Sequence, residues 1–248
     1  MSDFRNGFTN VAPASADMSV DAGLRGFMLG VYNKLALGLV VAGALAYVTG
    51  NVPEVQHLLF AVGPDGRVGL TLLGLVIQFS PLVMLFGSMF FMRNPTAGGV
   101  NLLYWAVVST IGAGLGILFL RYTGGSLAST FLITAAAFGA LSLFGYTTKR
   151  DLSPIGTFLI MGVIGLVIAM IVNMFLQSGI FYLIISAIGV LLFSGLIAFD
   201  TQRLKMTYYQ LGGDQQAMGV ATGFGALNLF INFINLFQFL LAFTGGRR

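Results

Sequence analysis

Cysteine is absent from the chain, charged residues amount to only 8%, and histidine and tryptophan occur once each in 248 residues. Without cysteine there is no disulfide, no thiolate metal site and no cysteine nucleophile, and the redox compartment is left undetermined. The shortage of charge excludes more. Soluble domains carry about 25% charged residues. A chain with 57% hydrophobic residues and a mean hydropathy of +0.92 cannot cover a water-facing surface with polar groups, so this is the sequence of an integral membrane protein. The single histidine, His57, falls in a predicted loop with no second histidine, a poor position for a metal or a catalytic base. An intramembrane aspartyl protease needs two acids where the membrane region supplies one, and a serine protease needs a serine with a histidine or lysine base, where His57 lies in a loop. An enzyme is therefore not expected, and neither are a cofactor or a nucleic-acid partner.

What is present is a series of apolar runs. Seven are long enough to cross the roughly 30 Å of bilayer hydrocarbon as helices: Phe27 to Gly50, Val68 to Phe91, Val100 to Leu120, Leu127 to Phe144, Pro154 to Leu176, Ile180 to Phe199 and Met218 to Phe243. A span must satisfy its own backbone hydrogen bonds, and no ten-residue alternation of barrel strands occurs, so an all-α bundle follows. The breaks carry turn chemistry, among them Asn94-Pro95, Ser153-Pro154 and Gly212-Gly213. Residues 1–26 are polar and small, with no signal-peptide pattern, and are expected to form a mobile tail ahead of one transmembrane domain over 27–248. Glycine reaches 34 residues, about twice the usual ~7%, which suits helices that approach closely in lipid. The run Gly112-Ala-Gly114-Leu-Gly116 lies inside an apolar helix without a preceding strand, so it reads as helix packing and not as a phosphate loop. With the N-terminus cytoplasmic, that side holds Arg5, Arg25, Arg93, Lys149, Arg150, Arg203 and Lys205, against Arg67, Arg121, Arg247 and Arg248 opposite, which favours this orientation. Lys34 reads as a side chain snorkelling to the interface, and Tyr104, Trp105, Tyr122, Tyr146, Tyr208 and Tyr209 as an aromatic belt.

Against this background Asp200, one of eight acidic residues, stands out, because it follows directly on the sixth span. A charge inside a membrane costs on the order of 3 kcal/mol or more unless it is paired, hydrated or protonated. The last span carries Asn228, Asn232, Asn235 and Gln238, spaced by 4, 3 and 3, a pattern that lines amides along one helix face. Such a stripe must face protein or water. It is either interhelical glue or a polar path for an ion, and Asn173 belongs to one system or the other. Counted from the predicted ends, Asp200 sits near the inner surface while Asn232 lies ~21 Å deep at ~1.5 Å per residue. For the two to meet, the sixth helix must continue past Asp200, to about Tyr208.

The segments GYTTKRDLS (145–153), IGVLLFSGL (188–196) and AFDTQ (198–202), with VYNKLALGLVVAGALAY (31–47) and QFSPLVMLFG (78–87), closely resemble the bacterial Bax inhibitor-1, or transmembrane Bax inhibitor motif, family. The resemblance implies seven helices, with a polar last helix surrounded by the others, and a pH-sensitive calcium leak in a bacterial inner (plasma) membrane. It implies that Asp200 pairs with a second acid on the last helix. Here that position, in LFINFINLF (229–237), is Asn232. A carboxylate pair shares a proton and titrates in coupled steps, whereas Asp200 with Asn232 has one titrating member, so proton sensing is expected to be weaker, or shifted to lower pH, than in a two-acid relative. The resemblance further places Arg93, in FFMRNP, near Asp200 as a latch. The gate is thus expected at Asp200, Asn232 and Arg93, with Asn228, Asn235, Gln238 and Asn173 along the polar path. Asp200 would hold calcium weakly and transiently, and the partners would be the lipid bilayer and calcium ions. The other function class consistent with the family is an interaction module acting on membrane proteases or other membrane proteins.

Overall fold

The computed structural model describes residues 22–63 and 68–246. Most of the expected N-terminal tail, residues 1–21, lies outside the described residues, as do Arg67, Arg247 and Arg248. From Ala22 the chain is helical. The elements are α1 (Ala22–Asn51), α2 (Pro53–Leu59), a hairpin of β1 (Phe60–Val62) and β2 (Val68–Leu70), α3 (Leu72–Phe91), α4 (Ala97–Gly114), α5 (Ile117–Arg121), α6 (Gly124–Thr147), α7 (Ser153–Leu176), α8 (Gly179–Leu211) and α9 (Gln215–Thr244). Among the described residues, seven helical segments are long and apolar enough to cross a membrane: α1, α3, α4 with α5, α6, α7, α8 and α9. The molecule is a helical membrane protein.

Helix starts follow side chains that can take orphan backbone N–H groups. Thr71 accepts from Gly74, Thr96 from Gly99, Thr123 from Ser126, Ser178 from Phe181, and Asp214 from Gln216 and Ala217. Pro53 and Pro154 stand at helix starts, where a missing N–H costs nothing. The turn from α8 to α9 requires a left-handed backbone, and glycine supplies it at Gly212, φ +57°, and Gly213, φ +92°.

Packing arranges these helices around the last one. In α9, 61% of the most apolar stretch is buried, against 11% for α3 and 17% for α7. Helices α1, α4, α6 and α8 all pack on α9, while α3 leans outward on α4 and α7 on α8. The outer pair turn large side chains such as Phe79, Phe91, Phe158 and Phe175 outward, as lipid contact requires.

Four boundaries differ from the sequence reading by more than three residues, each for a physical reason. The first span begins at Ala22 and not at Phe27, because Leu24 is fully buried and anchors the extra turn. Val68–Leu70 is not the start of a span; it pairs antiparallel with Phe60–Val62, so the two short runs satisfy each other's backbone groups outside the bundle. The third span breaks after Gly114, where the Thr49 hydroxyl lies 2.9 Å from the Ala113 carbonyl, the acceptor a continuing helix would have used. The sixth span runs to Leu211, three turns beyond Phe199, with Thr201, Gln202, Leu204 and Lys205 all buried. Two aromatic assignments change as well. Tyr104 and Tyr122 are core residues and not belt residues: Tyr104 is fully buried and donates its hydroxyl to the Lys34 carbonyl at 2.6 Å.

The glycine run packs helices. A Cβ at Gly112 would stand 2.6 Å from the Ala42 Cα, and one at Gly116 would meet the Thr49 hydroxyl and the Gly50 backbone. Because backbone cannot give way as a side-chain tip can, Gly112→Ala is expected to push α4 off α1. The expected cost is about 1–3 kcal/mol, seen as a lower melting temperature of the purified protein in detergent. The same substitution at Gly43, where an added Cβ meets nothing within 4 Å, should leave the melting temperature unchanged.

Candidate functional site

Asp200 and Asn232 come together. The long α8 descends past α9 in the opposite direction, and its continuation to Leu211 carries Asp200 inward from the end of the bundle to the level of Asn232. The Asp200 side chain is 7% exposed as part of the residue, and Asn232 6%. Asn232 Nδ2 donates to Asp200 Oδ2 at 2.7 Å, a short, charge-assisted bond that joins the two central helices.

The second carboxylate oxygen is also occupied. Arg203, one turn on along α8, places Nη2 2.9 Å from Asp200 Oδ1, with its guanidinium 5.5 Å from the centre of the Phe199 ring. Asp200 is therefore paired and hydrogen-bonded in one place, the condition under which a charge survives in a low-dielectric interior. The Arg203 side chain is 47% exposed, so the cation bridges the buried acid to the bundle end. Arg93 does not occupy this position. It sits exposed in the turn after α3, and among the described residues it makes no ion pair with Asp200.

The rest of the predicted polar path divides. Asn228 is half-buried one turn from Asn232, and Asn235 donates to the Ile231 carbonyl of its own helix at 2.8 Å. Gln238 is exposed. Asn173 lies at the other end of the bundle, where its Oδ1 accepts from Ser178 N at 3.2 Å, roughly 30 Å from Asp200 along α8. The stripe thus does not act as one line: Asn232 faces Asp200, its nearest amides flank it, and the two outermost candidates lie elsewhere.

Two residues of the same motif that sequence reasoning passed over bind the adjoining loop. Gln202 accepts from Leu152 N at 2.8 Å and donates to the Arg150 carbonyl at 2.7 Å, and Lys205, 4% exposed, donates to the Tyr146 carbonyl at 2.7 Å beneath the Tyr146 ring. Their spacing of three places them on one face of α8, but their partners are backbone groups of another segment, which no sequence pattern signals. In that loop Asp151 Oδ1 accepts from Ser153 N at 2.9 Å, which holds this carboxyl below the ordinary carboxylate range. Lys34 is half-buried, with its ammonium in an exposed hydrogen bond. It donates to Asn101 Oδ1 at 2.6 Å.

Among the described residues no group of three or more His, Asp or Glu converges as a metal cage. The site offers one carboxylate, its neighbouring amide and an arginine. Such a set suits a contact that can be made and broken better than one that stores an ion.

Comparison with known proteins gives a consistent result. A family model described as inhibitor of apoptosis-promoting Bax1 matches residues 24–248. A protein of Caulobacter vibrioides is 61% identical over the whole of both chains. A Rickettsia prowazekii protein, RP147, is 42% identical over 94% of this chain and 95% of its own. The Escherichia coli inner membrane protein YbhL is 40% identical over 92% of this chain and 94% of its own.

Proposed function

Because the chain belongs to the Bax inhibitor-1 family of membrane proteins, we propose that it is a non-enzymatic, calcium-permeable leak, held closed by Asp200 with Asn232 and Arg203 and opened when Asp200 takes up a proton. The observation that carries this reading is the double occupation of a buried carboxylate, by Asn232 at 2.7 Å and by Arg203 at 2.9 Å, at the contact of the two central helices. While Asp200 is charged, it ties α8 to α9 and keeps the guanidinium folded over Phe199. A proton removes the charge that holds Arg203, which is half-exposed and can turn to water, and it weakens the charge-assisted bond from Asn232. Passing calcium would meet the carboxyl oxygens of Asp200 and the amide oxygens of Asn228, Asn232 and Asn235. These are hard ligands with too little charge for tight binding.

The inner membrane is the proposed location, supported by the Escherichia coli relative, an inner membrane protein. A cytoplasmic N-terminus is supported by the excess of arginine and lysine on that side: among the described residues Arg25, Arg93, Lys149, Arg150 and Arg203 stand at the bundle end where α1 begins and Arg121 at the other, to which Arg67, Arg247 and Arg248 add in sequence. Arg93 then serves as a positive-inside anchor.

Dye-loaded proteoliposomes provide the test. Calcium entry that rises as the medium is acidified between about pH 8 and about pH 5 supports the proposal. Absence of flux across that window overturns it in favour of an interaction module acting on other membrane proteins.

A further inference from the structure

Between α1 and α6 the bundle is open. Both helices pack on α9 with little contact between them, and the gap is a pocket of about 430 Å³, within the roughly 300–1,000 Å³ typical of small-ligand sites. Its floor is the buried face of α9 formed by Phe233, Ile234 and Phe237. Leu118 and Phe119 of α5 close one end, and no charged or polar side chain lines it.

Three observations identify the occupant. The first is depth: on α6 the lining runs from Gly124, the first residue of the helix, to Leu132, about 12 Å at ~1.5 Å per residue. That is close to half of the roughly 30 Å hydrocarbon layer, or one leaflet. The second is access, because Gly43, Ala128 and Leu132 are exposed, so the pocket opens sideways at a level where the surrounding molecules are lipid tails. The third is charge. Arg121 ends α5 between the lining residues Phe119 and Gly124, is exposed, and makes no ion pair among the described residues.

We propose that this pocket is a lipid site that takes one acyl chain of an anionic phospholipid, with the lipid phosphate on Arg121. A tail seated there packs on Phe233, the residue next to Asn232, and so braces α9 from the side opposite α8. Glycine at position 43 keeps the mouth open: an added Cβ there meets nothing within 4 Å, so a large side chain can enter the pocket without displacing the helix.

Native mass spectrometry of the delipidated full-length protein, offered phosphatidylglycerol or phosphatidylcholine of identical acyl chains, tests the site. Wild type is expected to retain one phosphatidylglycerol in preference to phosphatidylcholine. Gly43→Phe should fill the pocket and weaken retention of both lipids about tenfold. Arg121→Gln should abolish the preference for phosphatidylglycerol while leaving retention of phosphatidylcholine unchanged. Ala128→Leu, which narrows the mouth from the α6 side, repeats the test should Gly43→Phe melt below wild type, and Leu143→Phe, on an exposed part of α6 outside the pocket, is the control. Undiminished phosphatidylglycerol retention in both pocket variants overturns the proposal. So does an unchanged headgroup preference in Arg121→Gln, or a wild type that retains neither lipid.

Discussion

Asn232→Asp is expected to make the stability of this protein steeply dependent on pH and to give its leak a new titration. In the wild type Asn232 presents an N–H to Asp200 at 2.7 Å, so the contact is attractive at every pH at which Asp200 is charged. Substituting Asp removes the donor and sets two carboxylates against each other inside the bundle. Two like charges ~4 Å apart repel by roughly 4 kcal/mol at an effective dielectric near 20. The pair escapes that repulsion by binding one proton between its two members, as other close carboxylate pairs do. The folded variant then holds a proton that the unfolded chain, whose carboxylates titrate near about pH 4, has already released. Where the folded state binds more protons, stability falls as pH rises. The variant should therefore match wild type at about pH 5 and fall below it by several kcal/mol at about pH 8, with leak acquiring a steeper response near about pH 6 to 7. Thermal melts and calcium flux measured across this range, in the same preparation, check both halves. An unchanged melt and an unchanged flux profile would mean that Asp200 and position 232 do not share a proton.

The seven spans were legible because length and hydropathy suffice for membrane helices, and the turn residues in the breaks put most starts within a few positions. The contact between Asp200 and Asn232 was legible from the motif resemblance alone. Its arginine was not. Ending the predicted sixth span at Phe199, with Arg203 counted only as a positive-inside charge, hid the fact that Arg203 stands at i+3 from Asp200, which is the simplest way for that acid to be paired. Gln202 and Lys205 were not legible either, because their acceptors are backbone carbonyls in and before the α6–α7 loop and leave no trace in composition. The amide stripe failed for a different reason. At ~100° per residue, Gln238 lies six positions from Asn232 and so points about 120° away from it. Neighbours spaced by three drift steadily around the helix, and the drift carries Gln238 off the face that meets α8 and onto the exposed surface. Tyr104 illustrates a third limit: proximity to a predicted span end suggested the interface, but the Lys34 carbonyl accepts its hydroxyl and the absence of a side chain at Gly38 makes room for it in the core.

Replacing Asp200 itself should have the largest effect on function and a small one on the fold. Asp200→Asn keeps the shape of the side chain and an oxygen able to accept from Asn232 Nδ2, so the α8–α9 contact at 2.7 Å can persist. Arg203 loses its partner, but it is already 47% exposed and can turn to water, and a half-exposed pair of this kind contributes only about 1 kcal/mol or less. Flux is where the variant should differ. With no group left at this position that can gain or lose a proton, calcium entry should become flat between about pH 5 and about pH 8. Arg203→Gln separates the latch from the sensor. It leaves Asp200 free to titrate while removing the cation, so flux at neutral pH should rise toward the acid level of wild type, with some pH response remaining through Asn232. Arg93→Gln should leave flux unchanged at every pH, because Arg93 makes no ion pair with Asp200 among the described residues. If Asp200→Asn retains the wild-type pH profile, the proton acts elsewhere and the buried acid serves only to hold α8 against α9. If Arg93→Gln and not Arg203→Gln raises the neutral leak, the closing cation comes from the end of α3.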